Sequence, residues 1–148
     1  MSRANIQKRR QTRFLLTQAL YQWQLSDANP HEILLYFQAN PQFKKADMDY
    51  FEILFDNITR DSESIDALYQ PHLDRSLQSV DPIEQSILRL ATYELKNSFE
   101  LAYKIIINEA VELAKIFGAT DSYKYINTVL DKTAKILRPF EEPSGKEI

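Results

Sequence analysis

Apolar residues recur along most of this chain at helical spacing and never alternate one-in-two over the length of a strand. Leu16, Leu20 and Trp23, with Leu15 and Ala19 beside them, predict a first helix over 4–25, and Asp27-Ala-Asn-Pro30 breaks it. Residues 31–39 form a short second helix, ended by Asn40-Pro41. Asp47 caps a third, whose stripe of Met48, Phe51, Leu54, Phe55, Ile58, Ile65 and Leu68 runs to about Tyr69. Pro71 opens a short fourth helix over 71–78. At Asp81-Pro82-Ile83-Glu84 an N-cap aspartate, a proline at the first helical position and a glutamate reaching back as a capping box start the fifth, which continues to about Asn97. The sixth covers 102–117, where Gly118 stops it in the left-handed conformation glycine tolerates. A seventh follows Thr120-Asp121 and ends before Pro139. The expected fold is all-α: about seven helices in two small stacked bundles. One domain spans 1–138, with sub-bundles of about 1–70 and 71–138. The tail 139–148, with two prolines, Ser-Gly and three glutamates, is expected to be disordered.

Charge sharpens this picture. The first 25 residues carry Arg3, Lys8, Arg9, Arg10 and Arg13 and no acid, whereas the chain as a whole has a formal charge of −3. Residues 26–148 therefore carry −8 against the segment's +5. A cationic helix on an acidic body implies two surfaces, one for a polyanion and one for something basic or neutral. Cations at a helix N-terminus oppose the macrodipole, so helix stability does not select them. On a helix Arg3, Arg10 and Arg13 share a face, flanked by Arg9 and Lys8, and such a face contacts several phosphates.

Composition removes other classes. No window approaches the ~18 uncharged apolar residues of a membrane span, and no apolar signal region follows the basic start, so a soluble, cytoplasmic protein is expected. Zero cysteines exclude disulfides and thiolate chemistry, and two glycines in 148 residues disfavour the Gly-rich phosphate loops of α/β folds. His31 and His72 lie in unrelated segments without a metal-ligand partner, and no serine sits in a nucleophile elbow. No metal, cofactor or catalytic set is expected. In Ser122-Tyr123-Lys124-Tyr125 a cation stands between aromatics at a helix start, which suits stacking on single-stranded RNA. Tyr123 shares a stripe with Ile126 and Leu130 and reads as core, while Lys124 and Tyr125 point further out. Tyr21 lies off its helix's apolar stripe, and Glu84 has a capping role available.

Six segments stand out together: Lys8-Arg9-Arg10, 19–25 (ALYQWQL), Asp49-Tyr50-Phe51, 87–95 (ILRLATYEL), 103–118 (YKIIINEAVELAKIFG) and 121–132 (DSYKYINTVLDK). In order and spacing they resemble the NusB family of transcription antitermination factors. The resemblance spans 8–138 and implies a non-catalytic adaptor that pairs with NusE, a basic ribosomal small-subunit protein. The pair would bind boxA RNA on nascent ribosomal transcripts and join elongating RNA polymerase with other Nus factors. By position it implies RNA contacts at Arg9, Arg10 and Arg13 with Lys8, at Lys124 and Tyr125, and at His72. It also implies a NusE-facing role for Tyr21 and Glu84, and an acidic position near the RNA at Asp121. Gln11 stands where the family commonly has arginine, and His72 where a larger aromatic is usual. Two further readings are a NusB-like accessory domain related to RNA cytosine methyltransferases and a protein-interaction module without RNA binding. A free protein of this kind can also pair with itself as a homodimer.

Overall fold

The computed structural model describes residues 2–141, and among them the chain forms seven α-helices, three short 3-10 turns and no strand. The expected all-α class is what is found. The residues group into two compact units, Met1–Asp61 and Ser62–Ile148.

The first unit holds α1 (Arg3–Leu25), α2 (Pro30–Gln38), a 3-10 turn (Pro41–Lys45) and α3 (Met48–Arg60). Each starts on a short polar side chain that takes a backbone N–H otherwise left unpaired at a helix start. Ser2 accepts from Asn5, Asn29 from His31, Asn40 from Gln42 and Asp47 from Tyr50, at 2.8–3.2 Å. The two Asn-Pro pairs thus open new elements as well as closing old ones. The turn at 41–45 is absent from the hydrophobic pattern but anchors the core through Phe43, whose ring meets Phe51 edge-on at 4.8 Å. Phe51 in turn stacks on Phe55, and Leu16, Leu20, Ile33 and Ile58 close the cluster with almost no exposure.

The second unit holds α4 (Ser62–Tyr69), 3-10 turns at Gln70–His72 and Leu77–Ser79, α5 (Pro82–Asn97), α6 (Tyr103–Phe117) and α7 (Ser122–Leu137). Two expectations fail here. The third helix does not run unbroken to Tyr69: Asp61 leaves helical geometry at φ −108°, ψ 24°. The apolar stripe has a gap there, since Asp61 and Ser62 occupy the positions three and four after Ile58. The fourth helix over 71–78 is replaced by the two 3-10 turns around Asp74-Arg75-Ser76. In that stretch Leu73 and Leu77 are only half-buried, too little apolar surface to offset the cost of nucleating a helix.

Helices α5, α6 and α7 pack on one another, with Ile87, Leu88, Leu95, Ile106, Ala110, Ile126 and Leu130 buried. Two buried arginines lock the unit. Arg89 on α5 grips Asp66 on α4 in bidentate fashion, at 2.9 and 2.8 Å, and the Tyr69 hydroxyl donates to the same carboxylate at 2.7 Å. Arg138, just beyond α7, donates to the carbonyls of Glu94, Leu95 and Ser98 at the end of α5 and to Leu101 O, at 2.6–3.2 Å. It also meets Glu141 at 2.7 Å, and Glu141 accepts the Tyr103 N–H at 2.7 Å, capping α6 where Ala102 has no side chain to do so. Thus residues 139–141 of the tail turn back onto the unit, and 142–148 lie outside the described residues.

Replacing Arg138 by Ala removes the partner of the Leu95 and Leu101 carbonyls and of the Glu141 carboxylate, and a second donor to the Glu94 and Ser98 carbonyls. The expected loss is about 3–5 kcal/mol of unfolding free energy, read from the urea midpoint at unchanged slope. Tyr69 holds its proton far above the ordinary tyrosine range, because burial and then the adjacent Asp66 charge oppose phenolate. The folded state therefore keeps a proton that the unfolded chain releases near pH 10. Stability should fall as pH rises through that value, and Tyr69→Phe should flatten the fall in a thermal-melting series.

Candidate nucleic-acid interface

In the first unit the cationic helix start is ordered. Arg3, Lys8 and Arg10 are exposed along α1. Arg9 is held down: its guanidinium lies 3.6 Å over the Tyr50 ring and its Nε donates to Asp47 at 3.3 Å. Its side chain is 20% exposed and its Nη1 is buried without a hydrogen-bond partner. Asp47 is thereby shared between Arg9, the cap of α3 and Thr12, whose hydroxyl accepts the Asp47 N–H at 2.8 Å. Arg13, expected on the basic face, is only 4% exposed, because the apolar side of α1 carries it inward together with Thr12 and Thr17. Its guanidinium is not part of the surface. Lys44 and Lys45 add two exposed cations on the 3-10 turn, which packs against α1. Tyr21 is 38% exposed.

In the second unit Lys124 is exposed at the start of α7 and pairs with Asp121 at 3.5 Å. Asp121 sits at φ 70°, the one left-handed non-glycine residue among those described. Gly118, expected in that conformation, is extended at φ −85°, ψ 171°. Its requirement is space: a Cβ there would stand 2.6 Å from Ser122 Oγ and 2.8 Å from Ala114 O. Ser122 is tied on its other side, donating to Glu84 at 2.5 Å. Glu84 does not form the capping box read from its spacing; Asp81 caps α5 alone through the Ile83 N–H, and the Glu84 carboxylate turns to α7 instead.

Tyr125 does not point outward as its position suggested. It is half-buried, its hydroxyl is enclosed beside Asp74, and its ring is covered by the Arg75 guanidinium at 4.2 Å. Burial raises its pKa, opposed by Arg75 and reinforced by Asp74 and Glu84. Tyr123 is half-buried too, with Lys115 5.2 Å from its ring centre. His72 is half-buried on the 3-10 turn that packs against α7. The pattern of positions missed Arg75 altogether, because only the fold carries residue 75 onto residue 125.

Among the described residues no group of three or more His, Asp or Glu side chains is placed to hold a metal ion, and no helix is long and apolar enough to cross a membrane. The described surfaces are those of an all-α binding protein, with ordered cations and aromatic–cation pairs in both units. The NusB family profile matches residues 10–135. The transcription antitermination protein NusB of Pasteurella multocida is 48% identical over 132 residues, covering 89% of this chain and 92% of the relative. That of Colwellia psychrerythraea is 44% identical over 133 residues, covering 90% and 96%. Among solved structures, T. maritima NusB superposes with a TM-score of 0.76 at 29% identity, covering 85% of this chain and 89% of that one. A crystal structure of the antitermination factors NusB and NusE in complex with double-stranded RNA gives 0.71 at 27% identity, covering 92% and 99%. The chain belongs to the NusB family.

Gly118→Ala forces Ser122 away from α6 and strains its bond to Glu84. A destabilisation of about 1–3 kcal/mol is expected in chemical denaturation. Gly118→Ala combined with Ser122→Gly should recover only part of it, since the clash with the Ala114 carbonyl remains.

Proposed function

We propose that this chain is a non-catalytic, RNA-binding adaptor in transcription antitermination, which pairs with NusE and binds boxA-like RNA on nascent ribosomal transcripts. The observation that carries the reading is the acid-free first helix, with Lys8 and Arg10 exposed on a rigid α1 whose caps and core are complete. Its relatives bear the name of antitermination proteins, and the NusB–NusE–RNA complex has the same fold at 92% coverage of this chain.

In this reading Lys8 and Arg10 contact phosphates, with Arg9 behind them bracing the Asp47 cap. In the second unit Lys124 contacts RNA beside Tyr125 and His72, and its pairing with Asp121 tempers the attraction. Arg13 is left out because it is buried. Tyr21 and Glu84 face NusE, whose basic character suits the acidic body. The assembly joins elongating RNA polymerase with other Nus factors in the cytoplasm, and the free chain can pair with itself.

The test is fluorescence anisotropy of a short boxA-like RNA titrated with the chain and NusE, against scrambled RNA. Reversing Lys8 and Arg10 to Glu should weaken RNA binding by at least tenfold and leave NusE binding and the melting curve in place. The log–log salt slope of the wild type should be about −2, as for three phosphates on a single strand. Unchanged RNA affinity in the reversed variant would sink the assignment of the basic face. Glu84→Lys should weaken NusE binding far more than RNA binding. Ser122→Ala breaks the same internal bond without changing charge, and should leave NusE affinity intact if Glu84 meets the partner directly.

A further inference from the structure

In the first unit the outward sides of α2 and α3 combine apolar and acidic side chains and carry no lysine or arginine. The two helices pack through Phe37 and Phe51, whose ring centres lie 6.0 Å apart, and the Tyr36 ring meets Phe37 edge-on at 5.4 Å. On α2 the exposed stripe is His31, Glu32, Leu35 and Tyr36; on α3 it is Met48, Asp49, Glu52, Ile53 and Asp56. Leu35, Tyr36, Met48 and Ile53 are 50–63% exposed, so the core leaves four large apolar side chains unused here. Lone exposed apolar residues are ordinary, but four on two neighbouring helices amount to roughly a few hundred Å² of apolar surface, the scale of an interaction site.

The carboxylates of Glu32, Asp49, Glu52 and Asp56 make no hydrogen bond or ion pair among the described residues. Helix stability does not select them all. Asp49 near the start of α3 suits the macrodipole, but Glu52 and Asp56 stand four apart further along, where like charges repel. Arg60, one turn beyond Asp56, is turned to Asn57 and Asp61. The second unit shows the ordinary solvated arrangement. There Glu112 pairs with Lys115, Asp121 with Lys124 and Asp131 with Lys135, at 3.4–3.9 Å. On α2 and α3 the matching cations are missing.

We propose that this α2–α3 face docks a basic amphipathic helix of a second protein partner, distinct from NusE. Apolar side chains at i, i+3 or i+4, and i+7 of that helix cover Leu35, Tyr36 and Ile53. Its flanking lysines or arginines meet Glu32, Glu52 and Asp56, and their methylene stems widen the apolar contact. Unpaired carboxylates repel phosphate, so the occupant is a protein and not RNA. The 13 residues of α3 rise about 20 Å, which sets the length of the docked helix. Tyr21 lies on α1 and Glu84 on α5, so the NusE contacts proposed above use neither helix and both partners can be held together.

The experiment titrates the chain, already bound to NusE, with a fluorescent synthetic peptide of about 14 residues that has leucines on one helical face and lysines on the other. Saturable binding that weakens with salt is expected. A peptide of the same composition with leucines and lysines scattered over all faces should bind at least about tenfold more weakly. Replacing Asp49→Asn, Glu52→Gln and Asp56→Asn together should weaken the amphipathic peptide about tenfold. Removing as many charges elsewhere, with Glu63→Gln, Glu100→Gln and Glu112→Gln, should change it by less than about twofold. Tyr36→Ala with Ile53→Ala should weaken it about fivefold or more at an unchanged salt slope. No binding, equal binding of the scattered peptide, or an equal loss in the control triple would overturn the proposal. So would loss of NusE binding in the α3 triple, which would give the face to NusE. A drop in sedimenting mass of the free chain in that triple, without a loss of peptide, would give it to a second copy and overturn the proposal too. RNA affinity should be unchanged in every variant, so failure here is separate from failure of the RNA-binding reading. Melting curves exclude unfolding, and the α3 triple carries the test where the alanine pair does not fold.

Discussion

The second unit depends on one buried guanidinium. Arg138 donates to the carbonyls of Glu94, Leu95 and Ser98 around the C-terminus of α5 and holds them against the end of α7. A buried cation without partners would cost several kcal/mol, so the site is stable only because every direction of the fork meets an acceptor. Through Glu141 the same group reaches the start of α6, which has no capping side chain of its own. Three helix ends are therefore fixed at one point, and the Ser122 end of α7 is placed by a separate crowding at Gly118.

Charges inside this protein fall into two kinds. Asp66–Arg89 and Arg138–Glu141 are enclosed, geometrically complete and structural. Lys8, Arg10, Lys44, Lys45 and Lys124 are exposed, where ion pairs stabilise little. Arg9 stands between the kinds, since its plane is packed on Tyr50 while its end lies toward the cationic helix start. Arg75 has partners of the same kinds, Tyr125 and Asp74, but its side chain remains more exposed.

Membership of the NusB family and the described surfaces agree on a protein that works by contact. The rigid first helix presents cations without waiting for RNA to order it, so binding carries less of the entropy cost that a basic tail would incur. The left-handed Asp121 pairs with Lys124 at the exposed start of α7.

The sequence by itself determined the helical class, most helix starts and the polarity of the first helix. Those features are local: periodic apolar residues, side-chain caps and a run of cations act within a few turns. The break at Asp61 escaped that pattern, in which one helix was expected to run on to Tyr69. Tertiary structure decided which of the charged residues are available. Arg13 turned inward because the packed side of α1 includes it, and Glu84 left its cap because Ser122, 38 residues away, offered a shorter bond. Gly118 is required for a close approach that no dihedral preference reveals. Arg75 met Tyr125 across fifty residues of chain, and Arg138 met carbonyls some forty residues earlier. Periodicity records which face of an element is apolar; it carries no information about which polar group waits opposite, because that partner is supplied by another element once the core has closed.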